Sequence, residues 1–211
     1  MTMLPGMEGD ERNHALSQWF TNEDLAARMW RWGRERGCHG RVLEPTAGNG
    51  SLLRPIMSAP YGCTQVVACE LDTTHIPALR ALALGQAPRP TLTIHVGDFL
   101  TAPTDLLGRF DLAMCNTPFE NGQTEAFVDR VLDVCERAIV LAQNSFMHSR
   151  RRRGFWATTE IRAVRYLESR PSFGVGASGS ETGKRDFVVL ELARWEADLD
   201  ARLPCDYDWW P

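Results

Sequence analysis

Apolar positions recur along the chain with two periods. Leu25, Met29 and Trp32 follow one another at spacings of four and three, the period of a helix with one buried face. Asn22 stands where it can cap the start of that helix, and Gly37 with Gly40 ends it. Short strand-like runs then alternate with helical stretches. Strands are predicted over residues 41–44, 65–70, 91–96, 110–115 and 137–142, with helices over 51–59, 73–84 and 123–135 between them. Alternation of this kind predicts a parallel sheet with helices on both faces. The pattern changes near the end. Residues 162–168 and 186–193 read as strands joined by a glycine- and serine-rich loop over 174–184, an antiparallel pair finishing the sheet. Residues 1–16 read as a flexible lead-in. Residues 17–211 read as one domain without a large separate recognition domain, and the acidic, aromatic tail 205–211 has no assigned place.

Composition narrows the possibilities. The 211 residues are 44% hydrophobic and 24% charged, enough for one good core. No apolar run reaches the roughly 18 residues of a membrane span, and the N-terminus lacks the basic-then-apolar pattern of a secretion signal. A cytoplasmic protein is expected. The six cysteines (Cys38, Cys63, Cys69, Cys115, Cys135, Cys205) are scattered without C-x-x-C spacing and read as reduced, buried thiols. The five histidines do not cluster, so no metal site is expected. Lys184 is the only lysine; it lies in no P-loop, and a Schiff-base lysine is not expected either. The net charge of −4 argues against a generally sticky polycation.

The first strand runs into Glu44-Pro45-Thr46-Ala47-Gly48-Asn49-Gly50, and a helix follows. In open α/β sheets, ligands bind beyond the carboxyl ends of strands, where glycines allow a sharp turn and close backbone approach. Glu70 ends the next strand about twenty residues on, followed by Leu71, where doubly wound folds place a carboxylate for ribose hydroxyls. Two details favour S-adenosylmethionine over a dinucleotide. The third glycine of G-x-G-x-x-G is replaced by Leu53, and the turn opens with an acid, which repels pyrophosphate and suits a sulfonium-bearing amino acid.

The fourth strand ends in Asn116-Thr117-Pro118-Phe119. With this tetrapeptide the chain resembles the S-adenosylmethionine-dependent amino-methyltransferases of nucleic acids, in particular the N6-adenine DNA methyltransferase family. Phe20-Thr21 resembles the family's segment that closes over the methionine part of the cofactor. The segment from Glu44 to Gly50 resembles its E-P-[ST]-A-G-x-G loop, and Gly97-Asp98-Phe99-Leu100 its adenine-holding segment. The resemblance spans residues 20–193. It implies a Rossmann-like class I methyltransferase fold, with a mostly parallel seven-stranded sheet and an antiparallel last strand. It also implies S-adenosyl-L-methionine as cofactor, with S-adenosyl-L-homocysteine as product. The implied cofactor residues are Phe20, Thr21, Glu44, Pro45, Thr46, Ala47, Gly48, Gly50, Glu70, Leu71, Asp98, Phe99 and Asn116.

The residue types suit that chemistry. The adenine amino nitrogen is a poor nucleophile because its lone pair is delocalised into the ring. Accepting both its hydrogens raises its electron density. Asn116 supplies one acceptor and the Thr117 carbonyl the other; Pro118 biases Thr117 towards an extended backbone, and Phe119 offers a stacking face for an extruded base. Thr117 departs from the family's usual proline, as in related RNA enzymes, and a backbone carbonyl serves either way. After the fifth strand come Arg150, Arg151, Arg152 and Arg153, a candidate phosphate-contacting patch; Lys184 and Arg185 follow the later glycine loop. The expected partner is DNA ahead of RNA. A protein glutamine amide and a catalytically silent nucleic-acid-binding module are the other readings.

Overall fold

The computed structural model describes residues 19–37, 39–84, 89–119, 122–171, 186–195 and 205–211. The lead-in 1–16, the glycine loop 174–184 and the candidate contacts Lys184 and Arg185 lie outside them.

Helix α1 (Glu23–Glu35) begins where Asn22 Oδ1 accepts from the Leu25 amide at 2.9 Å, and Glu23 and Asp24 in its first turn suit the positive end of the helix dipole. Its buried face carries Leu25, Met29 and Trp32 together with Ala26, Trp30 and Gly33. A Cβ on Gly33 would lie 2.9 Å from Leu112 Cδ2, so the glycine lets the helix press onto the sheet.

The chain then forms β1 (Gly40–Glu44), α2 (Leu53–Ser58), β2 (Cys63–Glu70), α3 (Ile76–Ala83), β3 (Thr91–Val96), α4 (Thr104–Leu107) and β4 (Phe110–Asn116). There follow α5 (Gln123–Val134), β5 (Cys135–Gln143), α6 (Arg153–Trp156), β6 (Thr159–Leu167), β7 (Phe187–Arg194) and β8 (Asp206–Trp210). Two predicted helices begin late, for local reasons. Ser51 is drawn into a turn by Asn49 Oδ1, and Asp72 Oδ1 caps a 3-10 turn over Thr73–His75. The predicted helix over 123–135 stops at Val134, because Cys135 is already extended and paired with Phe110.

The sheet order is β3-β2-β1-β4-β5-β7-β6-β8. Only β7 runs antiparallel, to β5 on one side and β6 on the other. Alternate strand residues face opposite layers. Val42, Val66, Leu112 and Ile139 join the core under α1, α2 and α3, whereas Leu43, Val67, Ala113 and Val140 join the core with Phe127, Val131 and Leu132 of α5. The carboxyl ends of β1, β2, β3 and β4 therefore share one rim.

The sheet has eight strands rather than seven, because the tail docks as β8, parallel to β6. Trp210 meets Trp32 edge-on at 5.4 Å, and Trp209 lies against Tyr166 at 5.1 Å. Arg165, 8% exposed, reaches Asp206 Oδ2 at 2.5 Å and places its guanidinium 4.7 Å from the Trp32 ring centroid. Aromatic edge contacts and a cation–π stack anchor a segment whose own residues bury little. Trp210→Ala should lower the free energy of unfolding by about 2 kcal/mol in urea titration. A change below about 0.5 kcal/mol, the scatter of ordinary surface substitutions, would show that the strand contributes nothing to the sheet.

Candidate active site

The loop after β1 is folded back by the main chain of β2. The Ala47 amide donates to the Cys69 carbonyl at 2.9 Å, and the Gly48 amide donates to Glu70 Oε2 at 2.5 Å. Gly48 has φ +51° and Gly50 φ +82°, and Cβ atoms there would lie 2.9 Å from Phe20 Cε1 and 2.6 Å from Leu82 Cδ1. Both conformation and space demand glycine. Phe20 thus sits directly on the loop, and its ring meets His75 edge-on at 5.4 Å.

An open cleft with a cavity volume of about 110 Å³ lies along this rim. Phe20, Pro45, Thr46, Gly48, Glu70 and Leu71 line it, as do Asp98, Phe99, Asn116 and Pro118. Thr21, Glu44, Ala47, Gly50, Thr117 and Phe119 are not among the lining residues. Gly97 of the adenine-holding segment lines the cleft too, as do Trp19, Cys69 and Phe127, although no motif pointed to these three. Trp19 and Cys69 each adjoin a motif residue in sequence, whereas Phe127 arrives from α5 by stacking on Phe99 at 6.0 Å.

The cleft is acidic. Glu44, 1% exposed, accepts through Oε1 from the amide and the hydroxyl of Thr46, both at 3.0 Å. Burial pushes its carboxyl up to about 8 against the donors of Thr46, and nearby Glu70 adds to the rise. Glu70 accepts from the Gly48 amide through Oε2 and from the Asp72 amide through Oε1, the latter at 2.6 Å. Burial also raises the Glu70 carboxyl; those two amides and His75 oppose the rise, and Asp72 adds to it. No arginine or lysine is among the described residues that line the cleft. Burial and then the carboxyls of Glu44 and Glu70 lift the Cys69 thiol to about 12, so it is no thiolate nucleophile at neutral pH. Cys63, Cys115 and Cys135 are likewise buried and unbridged, and Cys38 lies outside the described residues.

Asn116 ends β4 beside this cleft. Its Nδ2 donates to the Trp19 carbonyl and, at 3.1 Å, to Thr21 Oγ1. A carbonyl only accepts, so the contact with Trp19 fixes which end of the carboxamide is nitrogen. The amide oxygen, Oδ1, is buried without a partner. The following loop is held by Thr124 Oγ1, which donates to the Pro118 carbonyl at 3.0 Å, and Phe119 meets Phe187 edge-on at 5.1 Å.

The four arginines fall beyond β5, in a 3-10 turn over Arg150–Arg152 and at the start of α6. Arg152 turns inward. Its Nε lies 2.5 Å from Glu125 Oε1, its Nη1 donates to the carbonyls of Ser145 and His148, and its guanidinium covers the Phe146 ring. Arg150, Arg151 and Arg153 are exposed. Arg151 Nη2 lies 3.1 Å from the place of a Cβ on Gly122, just past the tetrapeptide loop.

No protein-family model and no curated protein sequence matches the chain. Solved structures of like fold do. A candidate RNA methyltransferase of Pyrococcus horikoshii aligns with a TM-score of 0.66 at 15% identity, over 85% of this chain and 87% of that one. The 23S rRNA methyltransferase ErmE aligns with a TM-score of 0.55 at 22% identity, over 84% and 70%. The glycopeptide N-methyltransferase MtfA complexed with S-adenosyl-L-methionine aligns with a TM-score of 0.56 at 16% identity, over 83% and 96%. The chain therefore has the Rossmann-like fold of these methyltransferases.

The buried Glu44 ties stability to pH. The folded chain holds its proton up to about pH 8, whereas the unfolded chain releases it near the ordinary value of 4.5. The folded state binds the extra proton throughout that window, so the ligand-free protein should lose stability as pH rises through it. Glu44→Gln, which keeps an acceptor for Thr46 without an ionisable proton, should flatten this decline in thermal unfolding across the window. An equal decline in both proteins would place the titration elsewhere.

Proposed function

We propose that the protein transfers a methyl group from S-adenosyl-L-methionine to the exocyclic N6 amino group of adenine in nucleic acid, DNA being the first candidate. One observation carries the reading. Asn116, its amide nitrogen committed to Trp19 and Thr21, keeps a buried acceptor oxygen that has no partner among the described residues, beside a cleft whose described lining has carboxyls and no basic side chain. An unsatisfied buried acceptor is costly, and a hydrogen-bond donor brought by the substrate relieves it.

The residues suit the methyl donor. Glu44 and Glu70 lie buried with no arginine or lysine partner among the described residues, an environment that favours the cationic amine and sulfonium and disfavours a pyrophosphate. Glu70 is proposed to accept the ribose hydroxyls, Asp98 and Phe99 to hold the donor's adenine, and Gly48 to admit the backbone approach. When bound, S-adenosyl-L-methionine would supply an electrophilic methyl group with a neutral thioether as its leaving group. Asn116 Oδ1 and the Thr117 carbonyl accept the two amino hydrogens, aligning the nitrogen lone pair, and the surplus proton leaves to water. Phe119, braced by Phe187, offers the stacking face for the extruded base.

RNA is the second reading, because two of the structures of like fold are named for RNA methylation. Labelled methyl transfer to duplex DNA, RNA and protein fractions, followed by nucleoside mass spectrometry, separates the substrates. N6-methyladenine in neither nucleic acid, with label in glutamine, would replace this reading by the protein-amide one. Asn116→Ala should cut turnover roughly a hundredfold or more, as loss of one preorganised polar group does, with donor affinity retained. Full activity in that variant would remove Asn116 from the chemistry.

The exposed arginines are proposed to hold phosphates. Replacing Arg150 and Arg153 by alanine should lower the slope of log affinity against log salt by about two units at most, at about 0.9 per phosphate on duplex DNA. Arg152→Ala should instead lower the unfolding temperature and leave the slope unchanged, because its guanidinium is engaged with Glu125. Fluorescence anisotropy over a salt series measures both slopes. An unchanged slope in the double variant would make Arg150 and Arg153 ordinary solvated surface.

A further inference from the structure

We infer that Thr21 is a positioning residue that sets the orientation of the Asn116 carboxamide, and that the segment from Trp19 to Thr21 thereby links occupancy of the glycine loop to the readiness of the catalytic amide. The inference depends on the proposed role of Asn116. It departs from the expectation that Thr21 touches the cofactor, because Thr21 is 4% exposed and stands outside the lining of the cleft.

The two hydrogens of Asn116 Nδ2 meet two acceptors from this one segment, the Trp19 carbonyl and Thr21 Oγ1 at 3.1 Å. Turning the carboxamide over would set Oδ1 against the Trp19 carbonyl, acceptor facing acceptor, and would bury the nitrogen where the oxygen now lies. The native orientation leaves Oδ1 as the unpartnered atom, and an acceptor there is what a substrate amine requires.

The segment is itself pinned at two points. Asn22, next along the chain, caps α1 through the Leu25 amide at 2.9 Å. Phe20 lies between the two anchoring residues, with its ring against the Gly48 backbone and edge-on to His75. A ligand that settles on the glycine loop presses on Phe20, and the residues on either side of Phe20 hold the amide.

Thr21→Val keeps the shape and removes the acceptor, so one Asn116 N–H is left buried without a partner. With a methylatable oligonucleotide, Thr21→Val should lower kcat about tenfold, the scale of one lost hydrogen bond, and change the calorimetric Kd for S-adenosyl-L-methionine less than about twofold. Thr21→Ser, which restores the hydroxyl, should recover kcat to within about threefold. In an Asn116→Ala background, Thr21→Val should cost nothing further, since residues acting as one unit are not additive.

The inference is overturned if the loss appears in donor affinity with kcat kept, which would make Thr21 a cofactor contact. Effects of Thr21→Val and Asn116→Ala that multiply would overturn it equally. Thr21→Ala repeats the test should Thr21→Val fail to fold, with thermal unfolding as the control. Full activity in Asn116→Ala alone strikes the proposed chemistry itself, and so is distinct from a failure at Thr21.

Discussion

The carboxylate of Glu70 is the group on which the rest of the site depends. One oxygen holds the Gly48 amide of the loop after β1, and the other holds the Asp72 amide after its own strand. The first of these bonds joins the end of β2 to the loop after β1, two strand ends that parallel pairing only brings side by side. Once the loop is fixed, Gly48 presents a flat backbone to Phe20. Once Phe20 is seated, Trp19 and Thr21 reach the amide of Asn116. Contacts at the end of β2 thus propagate to the end of β4, on the far side of β1.

Charge is divided across the rim. The cleft collects carboxyls, and burial disfavours the ionised form of Glu44 and Glu70, which a cationic ligand would favour. The exposed arginines stand outside the cleft, beyond β5. A cationic small molecule and a polyanion would each meet a field of the opposite sign, on adjoining surfaces. The chain's overall charge of −4 conceals this separation, because it averages over both.

Some features resisted the sequence for identifiable reasons. Residues 206–210 alternate acids with aromatics, and four of the five remain exposed, so no apolar face announced a strand. Their place in the sheet comes from ring contacts to Trp32 and Tyr166 and from Arg165. In the arginine run, nothing local distinguishes Arg152 from its neighbours; Glu125 does so from another helix. Thr21 resembles a cofactor residue by motif, yet its hydroxyl meets a side chain 95 positions away.

The sequence by itself determined the alternation of strands and helices, the glycine turn with its two acids, and the Asn-x-Pro-Phe loop at a strand end. Each of these is written in residues within a few positions of one another, through side-chain period, the conformational freedom of glycine and the fixed φ of proline. Only the tertiary structure decided that the tail is an eighth strand, which arginine turns inward, and which end of the Asn116 amide is left free. Those outcomes depend on donors and acceptors that are distant in sequence and meet only when both layers of the sheet are packed.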